Sequence, residues 1–457
     1  MSDPTGNGIY GVCPMPSKED LKRQVSEVID SKADEFVALA KTILKNPEPG
    51  FRELKTARLV AEQFAALGMQ PRNGLAVTGV RADASGTSAG PTLAILGELD
   101  SLIVSDHPHA DPETGAAHAC GHHCQIAMML GAAMALTNHD VLDHLAGRIA
   151  FMAVPAEEYI EIEYRDELRR AGKIEFLGGK PEFVRLGEFD DVHLAMMLHT
   201  TSNPAEKQMC ISNTNNGTVA KRIQFIGRAS HAGGAPHLGI NALNAAMLAM
   251  TAINFNRETF RDEDSIRVHP IITKGGEAVS AVPADVRMET FVRGRTIEAL
   301  MDANKKVDRA LKAGAMAVGA QVKIQTIPGY LPLQQNKPMS DIFRANAAEL
   351  VGEENVGYVD HRGGSTDMGD ISHLMPVIHP YVGGATGLGH GATYVVEDYA
   401  LAVIKGAKAL AYTAIDLLAD DASHGNTVAG GQRPDMSISE YLKFMRDLAS
   451  EETFTCA

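Results

Sequence analysis

Residues 118 to 124 read His-Ala-Cys-Gly-His-His-Cys, placing three imidazoles and two thiols within seven positions. Apolar segments flank them, Pro91 to Leu96 upstream and Ile126 to Leu130 downstream. A fold that buries both flanks must bury these groups too, or give them a task. Imidazole and thiolate are borderline-soft ligands that suit Zn²⁺ and its neighbours. Solvated histidine runs occur, but they lack cysteine and apolar flanks. Metal ligation is therefore favoured over packing as the reason for the cluster.

A chain of 457 residues is too long for one hydrophobic core, so two domains are expected. The formal net charge of −15 disfavours nucleic acid and anionic membrane surfaces as partners. No uninterrupted run of about 18 apolar residues is present, so no transmembrane helix is expected. Residues 1–8 are polar and carry no apolar signal core. The five cysteines, Cys13, Cys120, Cys124, Cys210 and Cys456, are odd in number and scattered. A disulfide framework is not expected, and a reducing cytoplasm fits.

Apolar positions at three- and four-residue steps predict helices from about Ser17 to Leu67, interrupted at Asn46-Pro47-Glu48-Pro49-Gly50. Strands are predicted at Val77–Val80, Thr92–Leu96, Arg148–Val154 and Val192–Leu198, with a small-residue helix over Met128–Leu136. Strands alternating with helices imply an α/β domain with a mainly parallel sheet. Near Gly217 the texture changes. The order strand (219–227), helix (240–255), strand (265–273), strand (285–294), helix (297–318), strand (321–326) marks a ferredoxin-like α+β module. The α/β pattern returns from Ser340 through a helix near Val395–Leu418. Residues 1–216 and 331–457 then form one catalytic domain with a C-terminal extension, and residues 217–330 form an insertion. Residues 420–435 read as loop, and Ile438–Leu448 as an amphipathic docking helix.

Ligand-type groups recur after the apolar strands. Glu157-Glu158 follows the strand ending at Val154, and adjacent carboxylates are costly to bury without cations. His199 follows Leu194–Leu198, and His390 lies in the turn Gly387-Leu388-Gly389-His390-Gly391. Asp100 is either an orienter of a ligating histidine or a helix cap. Together these place Cys, His and Glu at the carboxyl ends of strands in one sheet, where such sheets bind ligands.

The ordered motifs Gly97-Glu98-Leu99-Asp100-Ser101-Leu102, His118-Ala119-Cys120-Gly121-His122, Pro155-Ala156-Glu157-Glu158, Leu198-His199 and Ser230-His231-Ala232-Gly233-Gly234 resemble one family. Gly275-Gly276, Val282-Pro283-Ala284-Asp285, Gly364-Ser365-Thr366-Asp367 and Gly389-His390 extend the match. This is the co-catalytic metallopeptidase and amidohydrolase family of aminoacylase and carboxypeptidase G. The branch resembled most is that of indole-acetyl-amino-acid hydrolases and p-aminobenzoyl-glutamate hydrolase. The resemblance implies a zinc-peptidase-like catalytic domain with an inserted lid and dimerisation domain, and two divalent ions, Mn²⁺ or Zn²⁺. It implies Cys120 as a shared ligand, His122 beside it, Glu158 and His199 completing one ion, and His390 completing the other. Glu157 becomes the general base. His231 becomes a histidine reaching a partner subunit's site in a homodimer built through the inserted domain, and Arg293 a binder of the substrate carboxylate.

Two departures stand out. His123 replaces an expected aspartate, so it is a candidate substrate contact or extra ligand, and Tyr159-Ile160-Glu161-Ile162-Glu163-Tyr164-Arg165 replaces a small, glycine-rich segment. That segment, continuing to Arg185, is expected to line or lid the pocket. The expected function is metal-dependent hydrolysis of the amide of an N-acyl or N-aroyl amino acid, a small-molecule substrate. Alternatives are hydrolytic deamination of an aromatic amine on the same site, and a non-catalytic metal-binding protein. A cysteine-protease reading is weaker, because Cys120 and Cys124 sit inside a ligand cluster.

Overall fold

The computed structural model describes residues 16–431 and 433–455, so Cys13 and Cys456 lie outside the described residues. The main sheet has six strands in the order Arg72–Leu75, Gly79–Ser85, Ala146–Val154, Ser88–Glu98, Leu194–Met196, Val377–Ile378. The last four run parallel, and the first two are antiparallel additions at one edge. Both faces of the sheet are covered, which explains the unbroken apolar runs. Leu93 and Ile95 face a core that contains Leu21, Phe36, Met128 and Leu410, from the helices Lys18–Ser31, Ala33–Leu44, His122–Leu136 and Gly406–Gly431. Ala94 and Leu96 face the opposite core, with Phe183, Tyr441 and Met445.

The second sheet is antiparallel and has five strands, ordered Arg267–Lys274, Asp285–Gly294, Gly217–Ile226, Gln321–Tyr330, Ser450–Phe454. The helices Ala242–Phe255 and Ile297–Val318 pack on it around Val219, Phe225, Ala246 and Leu311. Its first four strands and two helices follow the expected β-α-β-β-α-β order. The fifth strand comes from the C-terminal extension, with Val322 opposite Phe454. A third sheet of five strands, ordered Leu333–Gln334, Met209–Asn215, Tyr381–Val382, His199–Thr200 with Val356–Arg362 also paired to Met209–Asn215, is drawn from chain on both sides of the insertion and carries His199.

Three local predictions are corrected. The strand foreseen at Val77 starts at Gly79, because Ala76 and Val77 adopt positive φ (46° and 78°) in a tight turn. The helix foreseen from Ile240 starts at Ala242, where the Asn241 side chain caps the amides of Leu243 and Asn244. Residues 423–431, within the 420–435 stretch read as loop, are helical. The helix breaks at 419–422, with positive φ at Asp420, Asp421 and Ala422, and then resumes to Gly431. The docking helix Ile438–Leu448 is present, opened by a Ser437–Glu440 capping box and buried through Tyr441 and Met445.

Candidate metal centre and active site

The carboxyl ends of adjacent parallel strands deliver the acidic groups. Ser88–Glu98 ends on Glu98 and leads to Asp100, and Ala146–Val154 leads to Glu157 and Glu158. Cys120 precedes the helix His122–Leu136, and His122 is its first residue. Gly121 makes that junction, at φ 88°. A Cβ there would lie 2.0 Å from Thr200 Oγ1, so only glycine lets the turn close on His199's strand. His390 stands in a turn, its amide held 2.9 Å from the Ala119 carbonyl.

These side chains converge. Cys120 Sγ is 3.3 Å from His199 Nε2, and His390 Nε2 is 3.5 Å from Glu158 Oε1. His122 Nε2 is 3.2 Å from Glu98 Oε2, 3.9 Å from Glu158 Oε1 and 4.0 Å from Glu157 Oε2. Three donor groups have ligand atoms all within 4.8 Å of one another: Cys120–His122–His199, Cys120–Glu158–His390, and Glu98–His122–Glu157. Cys120 belongs to two of them. They set Glu158 with His390 and His199 with His122, where the resemblance sets Glu158 with His199.

The outer nitrogens fix the tautomers. His122 Nδ1 lies 2.9 Å from the Asp100 carbonyl and His199 Nδ1 2.6 Å from the Thr200 carbonyl. A carbonyl only accepts, so each Nδ1 carries a proton and each Nε2 is the nitrogen turned to the cluster. Asp100 Oδ1 is also 3.3 Å from His122 Nδ1, and its Oδ2 accepts from the Glu158 amide at 2.8 Å.

The site is short of positive charge. Glu98, Asp100, Glu157, Glu158 and Asp367 are buried, with Lys180 bridging Glu98 Oε1 (2.6 Å) and Asp367. Burial, then Glu98 and Glu158, push the Glu157 carboxyl well above its usual range. Burial, then His122, push His199 down to about 4. For His122, burial opposes the charge, but Glu98 and Cys120 outweigh it and push the imidazole up. His122 Nε2 and Glu158 Oε1 are buried without a hydrogen-bond partner among the described residues. Buried, unpartnered donors of thiolate, imidazole and carboxylate type, in carboxylate excess, fit divalent ions.

Not every expected residue joins. His123 does not reach the cluster. Neighbouring helix positions point about 100° apart, so the first turn that aims His122 inward aims His123 the other way. His123 stacks on His118 at 5.3 Å between centroids and lies 3.4 Å from Tyr399 Oη. His118 and His123 border a separate cavity of about 220 Å³ with Tyr394 and Tyr399. His231 is exposed and makes no bond to the cluster; its Nδ1 accepts from the amides of Gly233 (3.1 Å) and Gly234 (2.9 Å). Arg293 is held 3.0 Å from Ser365 Oγ, and burial lowers its guanidinium while Glu157 opposes that shift. The 159–185 segment buries Tyr159, Arg165, Asp166 and Lys180, and Lys180 lines the site through Glu98 and Asp367. Three residues were missed as site members: Glu98, Lys180 and Asp367. Glu98 had a signal, an acid closing an apolar strand; Lys180 had none.

Paired carboxylates at the ends of parallel strands, met by a cysteine and histidines from a helix start, a turn and a neighbouring sheet, define a hydrolase site for two divalent ions. Residues 94–416 match the profile of Peptidase family M20/M25/M40, and the chain belongs to that family. It is a hydrolase acting on C–N bonds. It is 29% identical over 425 residues to the Xaa-Arg dipeptidase of Mus musculus, covering 88% of this chain and 89% of that protein. It is 24% identical over 361 residues to the IAA-amino acid hydrolase ILR1-like 4 of Arabidopsis thaliana, covering 77% of each. Among solved structures, a putative aminohydrolase from methicillin-resistant Staphylococcus aureus superposes with TM-score 0.70 at 20% identity, covering 86% of this chain and 100% of that one. A dinuclear metal-binding peptidase of the M20 family from Bacillus subtilis gives 0.64 at 20%, covering 85% and 99%. Among the described residues, no helix is long and apolar enough to cross a membrane.

Proposed function

We propose that the protein hydrolyses the amide of an N-acyl or N-aroyl amino acid. The observation that carries this reading is Cys120 shared between two donor groups beside the carboxylate of Glu157. Cys120, His122 and His199 hold one ion, and Cys120, Glu158 and His390 the other. When bound, two divalent ions make a water acidic enough to yield its proton near neutral pH and polarise the scissile carbonyl. The donor set suits Zn²⁺ or Mn²⁺.

Glu157 takes the water's proton and passes it to the leaving amine. Its carboxylate lies 4.0 Å from His122 Nε2, beside the donor set, within reach of a proton taken there. Arg293, anchored by Ser365, holds the substrate carboxylate through its planar fork. His231 stands on the small sheet's loop and meets no cluster residue of its own chain, which supports supply in trans within a homodimer. The exposed apolar side chains Met247, Phe255 and Ile271 of the same unit support a self-association surface there. The three described cysteines, Cys120, Cys124 and Cys210, are free, in keeping with a cytoplasmic setting.

The test is metal analysis followed by a mass-spectrometric screen of N-acyl amino acids and aryl amines. Release of an amino acid supports the proposal. Ammonia released from an aryl amine, with no amide turnover, replaces it with a deaminase. Mixing His231→Ala with Glu157→Gln under subunit exchange tests the shared site. Partial recovery of activity is expected, and none despite proven exchange rejects supply in trans.

A further inference from the structure

The turn that carries Glu157 and Glu158 has an unusual backbone. Ala156 sits at φ 55°, a left-handed conformation disfavoured for a residue with a Cβ. Something must hold it there, since such strain persists only where the surroundings over-determine it. The holders are side chains from four other places in the chain. Glu53 Oε1 accepts from the Ala156 amide at 2.8 Å, and Asp100 Oδ2 from the Glu158 amide at 2.8 Å. Arg165 Nη1 donates to the Ala156 carbonyl at 3.1 Å and to Leu177 at 2.8 Å, while Nη2 donates to the Glu158 carbonyl. Tyr330 Oη donates to the Glu157 carbonyl.

Arg165 and Tyr330 are the telling members. Arg165 is 1% exposed, yet its hydrogen bonds go to three carbonyl oxygens and none to a carboxylate. A rigid guanidinium fork suits bracing a backbone turn, whereas lysine's point charge does not. Gly50 makes room, since a Cβ there would lie 2.4 Å from Arg165 Nη2. Tyr330 is the last residue of the strand Gln321–Tyr330, which belongs to the small sheet. Its ring meets Tyr159 edge-on at 5.4 Å, and Tyr159 Oη in turn donates to the Pro328 carbonyl at 2.6 Å. The small sheet's exit strand and the catalytic turn are thus cross-tied in both directions.

We propose that Arg165 and Tyr330 are positioning residues that set the Glu157–Glu158 turn, Arg165 by bracing its carbonyls and Tyr330 by tying it to the small sheet. The proposal rests on Glu157 being the base. Catalytic carboxylates work only within about 0.5 Å of the productive position, so a loosened turn lowers turnover without touching substrate binding.

The experiment compares Tyr330→Phe, Arg165→Lys, Glu157→Gln and the Tyr330→Phe/Glu157→Gln double variant. Hydrolysis of N-benzoyl amino acids is followed with saturating Mn²⁺, and metal-free protein is titrated with Mn²⁺ and melted. Tyr330→Phe is expected to lower kcat about tenfold, with KM within about twofold and an almost unchanged melting temperature. It is expected to cost nothing further in the Glu157→Gln background. Arg165→Lys is expected to lower kcat and to weaken Mn²⁺ binding about tenfold, because Glu158 loses its brace. Full kcat in Tyr330→Phe and Arg165→Lys, with Glu157→Gln impaired, overturns the positioning role and leaves the base intact. Equal losses from Tyr330→Phe in both backgrounds place its action elsewhere and also overturn it. A Glu157→Gln variant of normal rate and metal content instead removes the base, and the positioning role with it.

Discussion

Cys120 and His122 face a cluster of carboxylates and imidazoles; His118 and His123, within the same seven residues, face Tyr394, Tyr399 and a separate cavity. Composition does not distinguish the two sets. Both contain buried imidazole, and both have ring nitrogens without hydrogen-bond partners. What separates them is the company each keeps. The first set meets buried carboxylates that need cations, and the second meets phenol and imidazole rings. Ligand-type residues become a metal site only where the fold adds opposite charge and a second strand end.

The sharpest contrast between the two faces is catalytic. Glu157→Gln keeps the shape of the turn and removes the base, so turnover should fall about 10²–10⁴-fold with metal content retained, as read by steady-state rates and elemental analysis. The next effect is on affinity. Asp100→Asn keeps the backbone carbonyl bonded to His122 but removes the carboxylate charge 3.3 Å from its Nδ1, and should weaken metal binding about 10–100-fold, measured by competition with a chelator. An unchanged affinity would mean that His122 needs no orienter. The smallest effect belongs to the other face. His123→Ala should leave metal content intact and change rates by less than about threefold, with a stability loss of about 1–3 kcal/mol from the emptied ring site, seen in denaturant melts. Metal loss in that variant would erase the distinction between the faces.

Much of this arrangement was legible in the sequence. The parallel strands announce themselves because burial on both faces leaves unbroken apolar runs such as Thr92–Leu96. The inserted module shows as period-two strands beside period-3.6 helices. Cys120, His122, Glu158, His199 and His390 were readable from ordered motifs, and all five meet. The direction of His123 was not readable, because helix phase at a first turn depends on where the helix begins. Here it starts at His122, before the apolar stretch that signals it. The strand Ser450–Phe454 went unread because Ser-Glu-Glu-Thr-Phe is an edge strand with exposed side chains, whose pairing with Val322–Thr326 is a backbone matter. Lys180 was invisible because its role depends on Asp367, far away in sequence.

Metal stoichiometry across the two faces tests the central claim most directly. The account predicts two divalent ions per chain in the purified protein and in His123→Ala, and fewer than two in Cys120→Ala, since Cys120 belongs to both donor groups. Two tightly held ions in Cys120→Ala, or their loss in His123→Ala, would contradict it.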